Sequence, residues 1–248
     1  MTTTYLAIKS KKKSHDQNIG NSLYPATTRS QLPHKGPSPH QLEDHPRLDG
    51  IGDRGIDRAL DAIEVALKEA PREDHRHRIE HCCYVPPPIQ KRLKELGVID
   101  ASANGFLYEL GDAYKANRGE EEMRWMWPHR TLIDEGILAP GHSDCPVCSP
   151  NPWLGIYGIV TRKTSGGDVL YAGDGITSME AIRAYTIDGA YAAWEEGIKE
   201  SIEPEKLADL VVIDRDPLNI PNDDLKNVET VMTIIDGKIV YRRRKNVI

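Results

Sequence analysis

The feature that most constrains the fold is an alternation of short apolar segments with amphipathic helices between residues 53 and 144. Three segments predict strands, and they are HRIEHC (77–82), VIDASANG (98–105) and ILAPGHSD (137–144). Helical periodicity of apolar residues precedes the first segment at 54–70 and separates the first two at 86–97. Repeated strand–helix–strand units of this kind predict a parallel sheet, so the expected fold class is α/β.

Two of the predicted strands end in residues that can bind a metal. His81 closes HRIEHC, and Asp144 lies in GHSDCPV (141–147), where the third strand ends. Parallel α/β barrels build their active sites at the carboxyl ends of their strands. A neutral imidazole suits Zn²⁺ or a similar ion, and an ionised carboxylate can bind a metal and accept a proton. We therefore expect chemistry at these two positions.

The rest of the chain differs from the alternating region. Residues 1–45 are rich in Ser, Thr, Pro, Gln and His without apolar periodicity, which predicts a disordered or poorly structured segment. Residues 145–174 are predicted to form a long loop, and a capping box of Thr177 and Glu180 opens the next helix. Near the C-terminus, ADLVVID (208–214) predicts a strand and VMTIIDGKIVYRR (231–243) a hairpin around an Asp-Gly turn.

Composition narrows the class of function. The net charge of −6 gives no reason to expect a nucleic-acid partner, and no apolar run is long enough for a membrane span. The first residues lack the apolar region of a secretory signal. The 4 cysteines are more typical of reduced cytosolic thiols than of a disulfide framework. We therefore expect a cytoplasmic protein without nucleic-acid or membrane partners.

Seven strings in order, from residue 50 to the C-terminus, resemble the C-terminal part of the amidohydrolase superfamily. They are IGDRGID, HRIEHC, GHSDCP, NPWLGIYGIVTR, SMEAIRAYTIDGAYAAWEE, SIEPEKLADLVVIDRDPL and TIIDGKIVYR. The branch that they resemble most is amidohydrolase 3, which contains N-substituted formamide deformylase-like hydrolases. The resemblance implies the C-terminal portion of a (β/α)8 TIM barrel, with about three of its eight strands, beside part of a small β-sandwich.

The resemblance also implies a function and a set of site residues. It implies a metal-dependent hydrolase that acts on carbon–nitrogen bonds other than peptide bonds, such as amide or N-formyl groups, in a small-molecule substrate. A divalent metal, expected to be zinc, would activate a water for attack. By motif, Asp144 matches the last-strand aspartate, a metal ligand that also acts as the catalytic proton shuttle. His81 matches the metal-binding histidine of the sixth strand.

The implied division of the chain has three parts. Residues 1–45 form a disordered or non-homologous segment, residues 46–200 a partial barrel, and residues 201–248 a partial β-sandwich. Two features of the family have no counterpart in this chain, namely the His-x-His of the first strand and the metal-bridging lysine of the fourth. Asp49 stands where the fifth-strand histidine is expected, after a stretch, QLEDHPRL, without the apolar pattern of a strand.

Three strands cannot close an eight-stranded barrel. We therefore expect a fragment, a gene model with a foreign first segment, or one half of a split enzyme. The expected partner is a complementing N-terminal half, or a second copy in a homo-oligomer. Two functions from different classes stay open: a metal-dependent hydrolase whose site another chain completes, and a non-catalytic remnant that is inactive alone.

Three further observations leave alternatives open. Cys145 and Cys148 have C-x-x-C spacing, which incidental thiols explain better than a redox or zinc site. His142, next to the predicted site, is an alternative metal ligand. Arg162 is predicted to lie in a loop, where it could contact substrate.

Overall fold

Two sheets organise the chain. The structure, a computed structural model, describes residues 5–6 and 47–243. The parallel sheet contains β2 (Arg47–Gly50), β3 (Arg78–His81) and β4 (Ile99–Ser102), in that order. The antiparallel sheet, in the order β1-β5-β6-β7, contains β1 (Tyr5–Leu6), β5 (Leu210–Ile213), β6 (Thr230–Ile235) and β7 (Lys238–Arg242). The predicted α/β class, with a separate small β-structure, is confirmed.

Helices fill the sequence between the strands. The α-helices of the described residues are α1 (Asp53–Glu69), α2 (Pro87–Leu96), α3 (Gly105–Arg118), α4 (His129–Asp134), α5 (Pro152–Thr161), α6 (Ser178–Ala184) and α7 (Ile187–Tyr191). Short 3-10 helices lie at Glu120–Trp125, Ala172–Asp174 and Asn222–Asn227. Helix α1 begins at Asp53, with Gly52 as its N-cap residue.

Strand β2 corrects the sequence prediction, which found no strand before Asp49. Its four residues pair in parallel with β3, so that Gly50 stands opposite His81. The chain continues the pairing beyond the strand, because the Cys82 N–H donates to the Gly50 carbonyl at 2.9 Å. Main-chain pairing with a neighbouring strand needs no apolar side chains, so the polar sequence of this segment concealed it.

The predicted strand at 137–144 lies beside β4 without forming a regular strand. The Asp100 and Ser102 N–H groups donate to the carbonyls of Leu138 and Pro140 at 3.0 and 2.9 Å. Among the described residues, this segment forms one isolated parallel bridge with β4, between Ser102 and Gly141. Pro140 interrupts the ladder because it has no N–H to donate. The segment nevertheless brings Gly141 and the residues after it to the carboxyl end of β4.

The smaller hydrophobic core joins the parallel sheet to α1 and α2. Its fully buried members include Ile56, Leu60, Ile63, Ile79 and Leu93. The first three lie in the segment 54–70, for which helical periodicity predicts an amphipathic helix. Gly97 ends α2 as predicted, since its φ of +65° is a left-handed conformation that glycine adopts without steric cost.

The larger core contains α3 and α5, and α5 overturns the prediction of a long loop at 145–174. Asn151 caps this helix, where its side chain accepts a hydrogen bond from the Trp153 N–H at 3.1 Å. Seven of the ten residues of α5 are buried. A helix that is apolar all round shows no amphipathic period, so periodicity could not reveal it.

The predictions for the C-terminal region are confirmed where the structure describes them. The Thr177–Glu180 capping box is present at the start of α6. The hairpin of β6 and β7 turns at Asp236 and Gly237, with φ values of +50° and +70°, as a type I′ turn requires. Val211 and Ile213 of β5 belong to the larger core, which connects this sheet to α3 and α5.

The predictions for the N-terminal 45 residues lie almost entirely outside the described residues. The exception is β1, whose Tyr5 and Leu6 pair antiparallel with Val212 and Val211 of β5. Among the described residues, no helix combines the length and apolar character needed to cross a membrane.

Candidate functional site

The carboxyl ends of β2, β3, β4 and the segment at 137–144 lie side by side. Gly50 pairs with His81, His81 with Ser102, and Ser102 with Gly141. Because the strands are parallel, the residues that follow these four positions lie at the same edge of the sheet. This edge is where parallel α/β proteins place their ligands.

His81 and Asp144, the two predicted site residues, meet at this edge. The His81 Nε2 atom lies 3.2 Å from Oδ2 of Asp144. On the other side of the ring, Nδ1 lies 3.8 Å from Oδ1 of Asp49, which is too long for a hydrogen bond. The His81 side chain is 16% exposed, whereas Asp144 and Asp49 are 41% and 81% exposed. A half-buried imidazole therefore lies between two carboxylates that face solvent.

The backbone at this edge is strained. His81, Cys82 and Asp144 have φ values of +77°, +37° and +50°. Residues with a Cβ pay about 1–2 kcal/mol for this left-handed region, and such strain concentrates at functional sites.

The Nδ1 atom of His81 is buried and has no hydrogen-bond partner among the described residues. A buried ring nitrogen normally has a partner, so this atom needs an explanation. It is available to a ligand that the described residues do not supply.

His142 lies beside this pair, with both ring nitrogens hydrogen-bonded to the main chain. Its Nε2 is 2.9 Å from the Ala101 carbonyl oxygen, and its Nδ1 accepts the Asp144 N–H at 3.2 Å. Burial lowers the pKa of His142, which favours the neutral ring. Because no ring lone pair is free, the structure argues against the alternative that His142 is a metal ligand.

A buried polar cluster beneath the site was missed by the sequence prediction. The Tyr185 hydroxyl donates to Oδ1 of Asn104, and Nδ2 of Asn104 lies 3.3 Å from Nε2 of His129. Burial lowers the pKa of His129 to about 4, so its neutral Nε2 can accept the amide hydrogen. A Cβ at Gly141 would lie 2.4 Å from the Asn104 amide nitrogen, so only glycine fits there. The glycine of GHSDCPV was the sequence signal for this contact.

Arg162 is a structural residue, contrary to the expectation that it could contact substrate. Its side chain is fully buried, at the C-terminal end of α5. The guanidinium donates to the carbonyls of Trp127, Met126 and Leu170, each at 2.8 Å. These bonds join α5 to the loop after α3, and they leave Arg162 no contact with the site.

The C-x-x-C pair forms no disulfide. Cys145 is exposed and Cys148 is buried, and both thiols are free. Burial raises the pKa of Cys148 to about 11, which keeps its thiol protonated. These features fit the interpretation of incidental thiols.

The described residues fit part of a metal site. His81 and Asp144 offer a nitrogen and a carboxylate, the donor types that zinc binds. Catalytic zinc has three protein ligands, however, and the described residues contain no group of three His, Cys, Asp or Glu side chains that could hold a metal ion.

Comparisons with known proteins show which proteins this chain resembles. N-substituted formamide deformylase of Arthrobacter pascens is 33% identical to this chain over 198 residues, which are 79% of the chain and 36% of that protein. The chain spans about a third of the length of the curated relatives that it matches. Two solved structures are similar, both of uncharacterized metal-dependent hydrolases.

The hydrolase of Pyrococcus horikoshii OT3 is 25% identical, with a TM-score of 0.62, and the match covers 74% of this chain and 36% of that one. The hydrolase of Pyrococcus furiosus is 29% identical, with a TM-score of 0.58, over 71% of this chain and 34% of that one. The sequence model of the amidohydrolase family matches residues 47–241, which hold the parallel sheet, most of the antiparallel sheet and the site edge. The chain therefore belongs to the amidohydrolase family.

Proposed function

We propose that this chain contributes part of the active site of a metal-dependent hydrolase. The substrate class would be small molecules with an amide, N-formyl or similar carbon–nitrogen bond that is not a peptide bond. The observation that carries the proposal is the 3.2 Å approach of His81 to Asp144 at the carboxyl edge of the parallel sheet. The similarity to N-substituted formamide deformylase supports the substrate class.

Each residue has a distinct role in this proposal. A bound divalent metal, which we propose to be zinc, would make water acidic enough to attack near neutral pH. His81 would offer one of its ring nitrogens as a ligand. Asp144 is close enough to His81 to share that ligand set, and its exposed carboxylate can accept the proton of the attacking water and return it to the leaving nitrogen. Asp49 is a further carboxylate within reach of His81.

The remaining ligands would come from outside the described residues. A complementing N-terminal polypeptide is one source, and a second copy of this chain is the other.

We also propose that the enzyme works in the cytoplasm, where the buried thiols of Cys82, Cys83 and Cys148 would stay reduced. The proposed boundaries, 46–200 and 201–248, assign β2–β4 to the barrel part and β5–β7 to the sandwich part.

A non-catalytic role is the second candidate. The specific observation in its favour is that His81 and Asp144 lie within hydrogen-bond distance of each other, so the two side chains can satisfy each other without a metal. In that case the chain would be a non-catalytic remnant that is inactive alone.

One experiment separates the two candidates. The purified chain is analysed for metal per monomer and assayed for amide and N-formyl hydrolysis with and without added Zn²⁺. The hydrolase proposal expects bound metal and a turnover that Asp144→Asn removes, because an amide cannot accept the proton. Asp236→Asn, an exposed carboxylate in the hairpin turn, is the matched control and should leave turnover unchanged. A folded chain with neither metal nor turnover would rule out a second copy of this chain as the source of the missing ligands and would favour the non-catalytic role.

A further inference from the structure

The main chain of His142 is anchored on β4 and α3. Its N–H donates to the Ser102 carbonyl at 3.0 Å, and its carbonyl accepts the Gly105 N–H at 3.1 Å. Gly105 permits this close approach, since a Cβ there would lie 3.0 Å from Cα of Ser143. His142 is therefore fixed to two rigid elements two residues before the site residue Asp144.

The side chain of His142 connects the same strand to Asp144. A carbonyl oxygen only accepts hydrogen bonds, so the contact with Ala101 requires a hydrogen on Nε2. A main-chain N–H only donates, so the contact with Asp144 requires a lone pair on Nδ1. One tautomer of the neutral ring, with its hydrogen on Nε2, satisfies both bonds.

Asp144 needs such support because its backbone is in the left-handed region, with a φ of +50°. Residues with a Cβ are disfavoured there unless surrounding contacts stabilise the conformation. The hydrogen bond from the Asp144 N–H to His142 is one such contact. The rings of His142 and His81 also pack edge to face, with centroids 5.7 Å apart.

We propose that His142 is a positioning residue that, through its Nδ1 atom, holds Asp144 in the left-handed conformation and so aims its carboxylate at His81. The inference rests on the proposed function for the role of Asp144, and it adds a residue that acts without touching metal or substrate.

Two matched variants separate the two bonds of the ring. In His142→Asn, the side-chain oxygen can occupy the place of Nδ1 and accept the Asp144 N–H. In His142→Gln, the side-chain amide nitrogen can occupy the place of Nε2 and donate to Ala101, but the acceptor for Asp144 is lost. If His142 only anchors its segment on β4, His142→Gln should be the milder substitution. If His142 positions Asp144, His142→Asn should be the milder one.

The first readout is amide hydrogen exchange at Asp144, measured by NMR on the full chain without metal. We expect exchange to be about five to ten times faster in His142→Gln and within about twofold of the unsubstituted chain in His142→Asn, the size of one lost hydrogen bond. Amides of α1 serve as the internal check that the variant is folded. Equal exchange in the two variants, or the reverse order, would overturn the proposal.

The unsubstituted chain supplies a measurement that does not depend on how a variant folds. Long-range ¹H–¹⁵N spectra of the histidine rings report which nitrogen carries the hydrogen. We expect His142 to carry it on Nε2, and a hydrogen on Nδ1 would refute the proposed bond.

The second readout is the dissociation constant for Zn²⁺ added alone to the full chain. We expect it to rise about tenfold in His142→Gln and less than about threefold in His142→Asn, because a misaimed carboxylate is a poorer ligand. Equal weakening in both variants would indicate that His142 is itself a ligand and would overturn the positioning role. An unsubstituted chain that binds no Zn²⁺ would instead count against the proposed function, while hydrogen exchange would still decide the role of His142.

Discussion

Asp100 is a fully buried carboxylic acid on β4, in register with Ile79 of the smaller core. Neither of its oxygens has a hydrogen-bond partner in the described part of the chain. Burial raises the pKa of Asp100 well above its ordinary value, so the folded state favours the protonated form. At the scale of single residues, the apolar surroundings of Asp100 therefore disfavour its charged form.

The burial of Asp100 makes stability depend on pH. The pKa of Asp100 is higher in the folded chain than in the unfolded chain, so the folded state binds more protons between those two pKa values. The free energy of unfolding therefore falls as the pH rises above about 4. We expect Asp100→Ala to raise the free energy of unfolding at pH 8 by about 1–3 kcal/mol. Urea unfolding at pH 5 and pH 8 measures this, and a variant that is less stable at pH 8 would contradict it.

His129 predicts the opposite dependence. Its folded pKa of about 4 is lower than its ordinary value of 6.5, so the unfolded chain binds the additional proton between these pH values. The stability that the neutral ring provides is present above pH 6.5 and is lost as the pH falls toward 4, by on the order of 3 kcal/mol. His129→Gln should reduce this loss of unfolding free energy between pH 6.5 and pH 4, measured by urea unfolding at several pH values. Tyr185→Phe, which leaves the His129 ring in place, is the control and should show the same loss as the unsubstituted chain.

At the scale of elements, the start of α6 depends on one capping box. The Thr177 hydroxyl oxygen accepts the Glu180 N–H at 3.2 Å, and the Glu180 carboxylate accepts the Thr177 N–H at 2.8 Å. We expect Thr177→Ala to lower the free energy of unfolding by about 1 kcal/mol, since it leaves a helix-end N–H without its acceptor. Ser178→Ala, at the next position, should change stability by less than half as much. Thermal or urea unfolding of both variants measures the difference.

At the scale of the whole molecule, β7 is less covered than β5 and β6, its companions in the antiparallel sheet. All five of its residues are exposed, and Ile239, Val240 and Tyr241 are about half exposed or more. Exposed apolar edge strands promote association. We expect Val240→Lys to reduce aggregation at high protein concentration, measured by light scattering. Val65→Lys, an equally exposed valine on α1, is the matched control and should have little effect.

The parts of the fold that the sequence predicted share a local signal. Ile56, Leu60 and Ile63 repeat at the helical period, Gly97 ends a helix, and Thr177 with Glu180 opens one. Each of these signals acts within a few residues, so it is visible without tertiary contacts. The parts that were missed lack such a signal: α5 is apolar on all sides, and β2 is polar.

The sequence by itself determined the α/β class, the family resemblance and the two residues, His81 and Asp144, that meet at the site. Side-chain type and motif spacing are enough for that, because parallel strands bring their carboxyl ends together. Only the tertiary structure decided that Arg162 is buried and that both ring nitrogens of His142 are bonded to the main chain. It also decided that His81 and Asp144 have left-handed backbones. These features depend on contacts between residues far apart in the chain, and no local pattern encodes them.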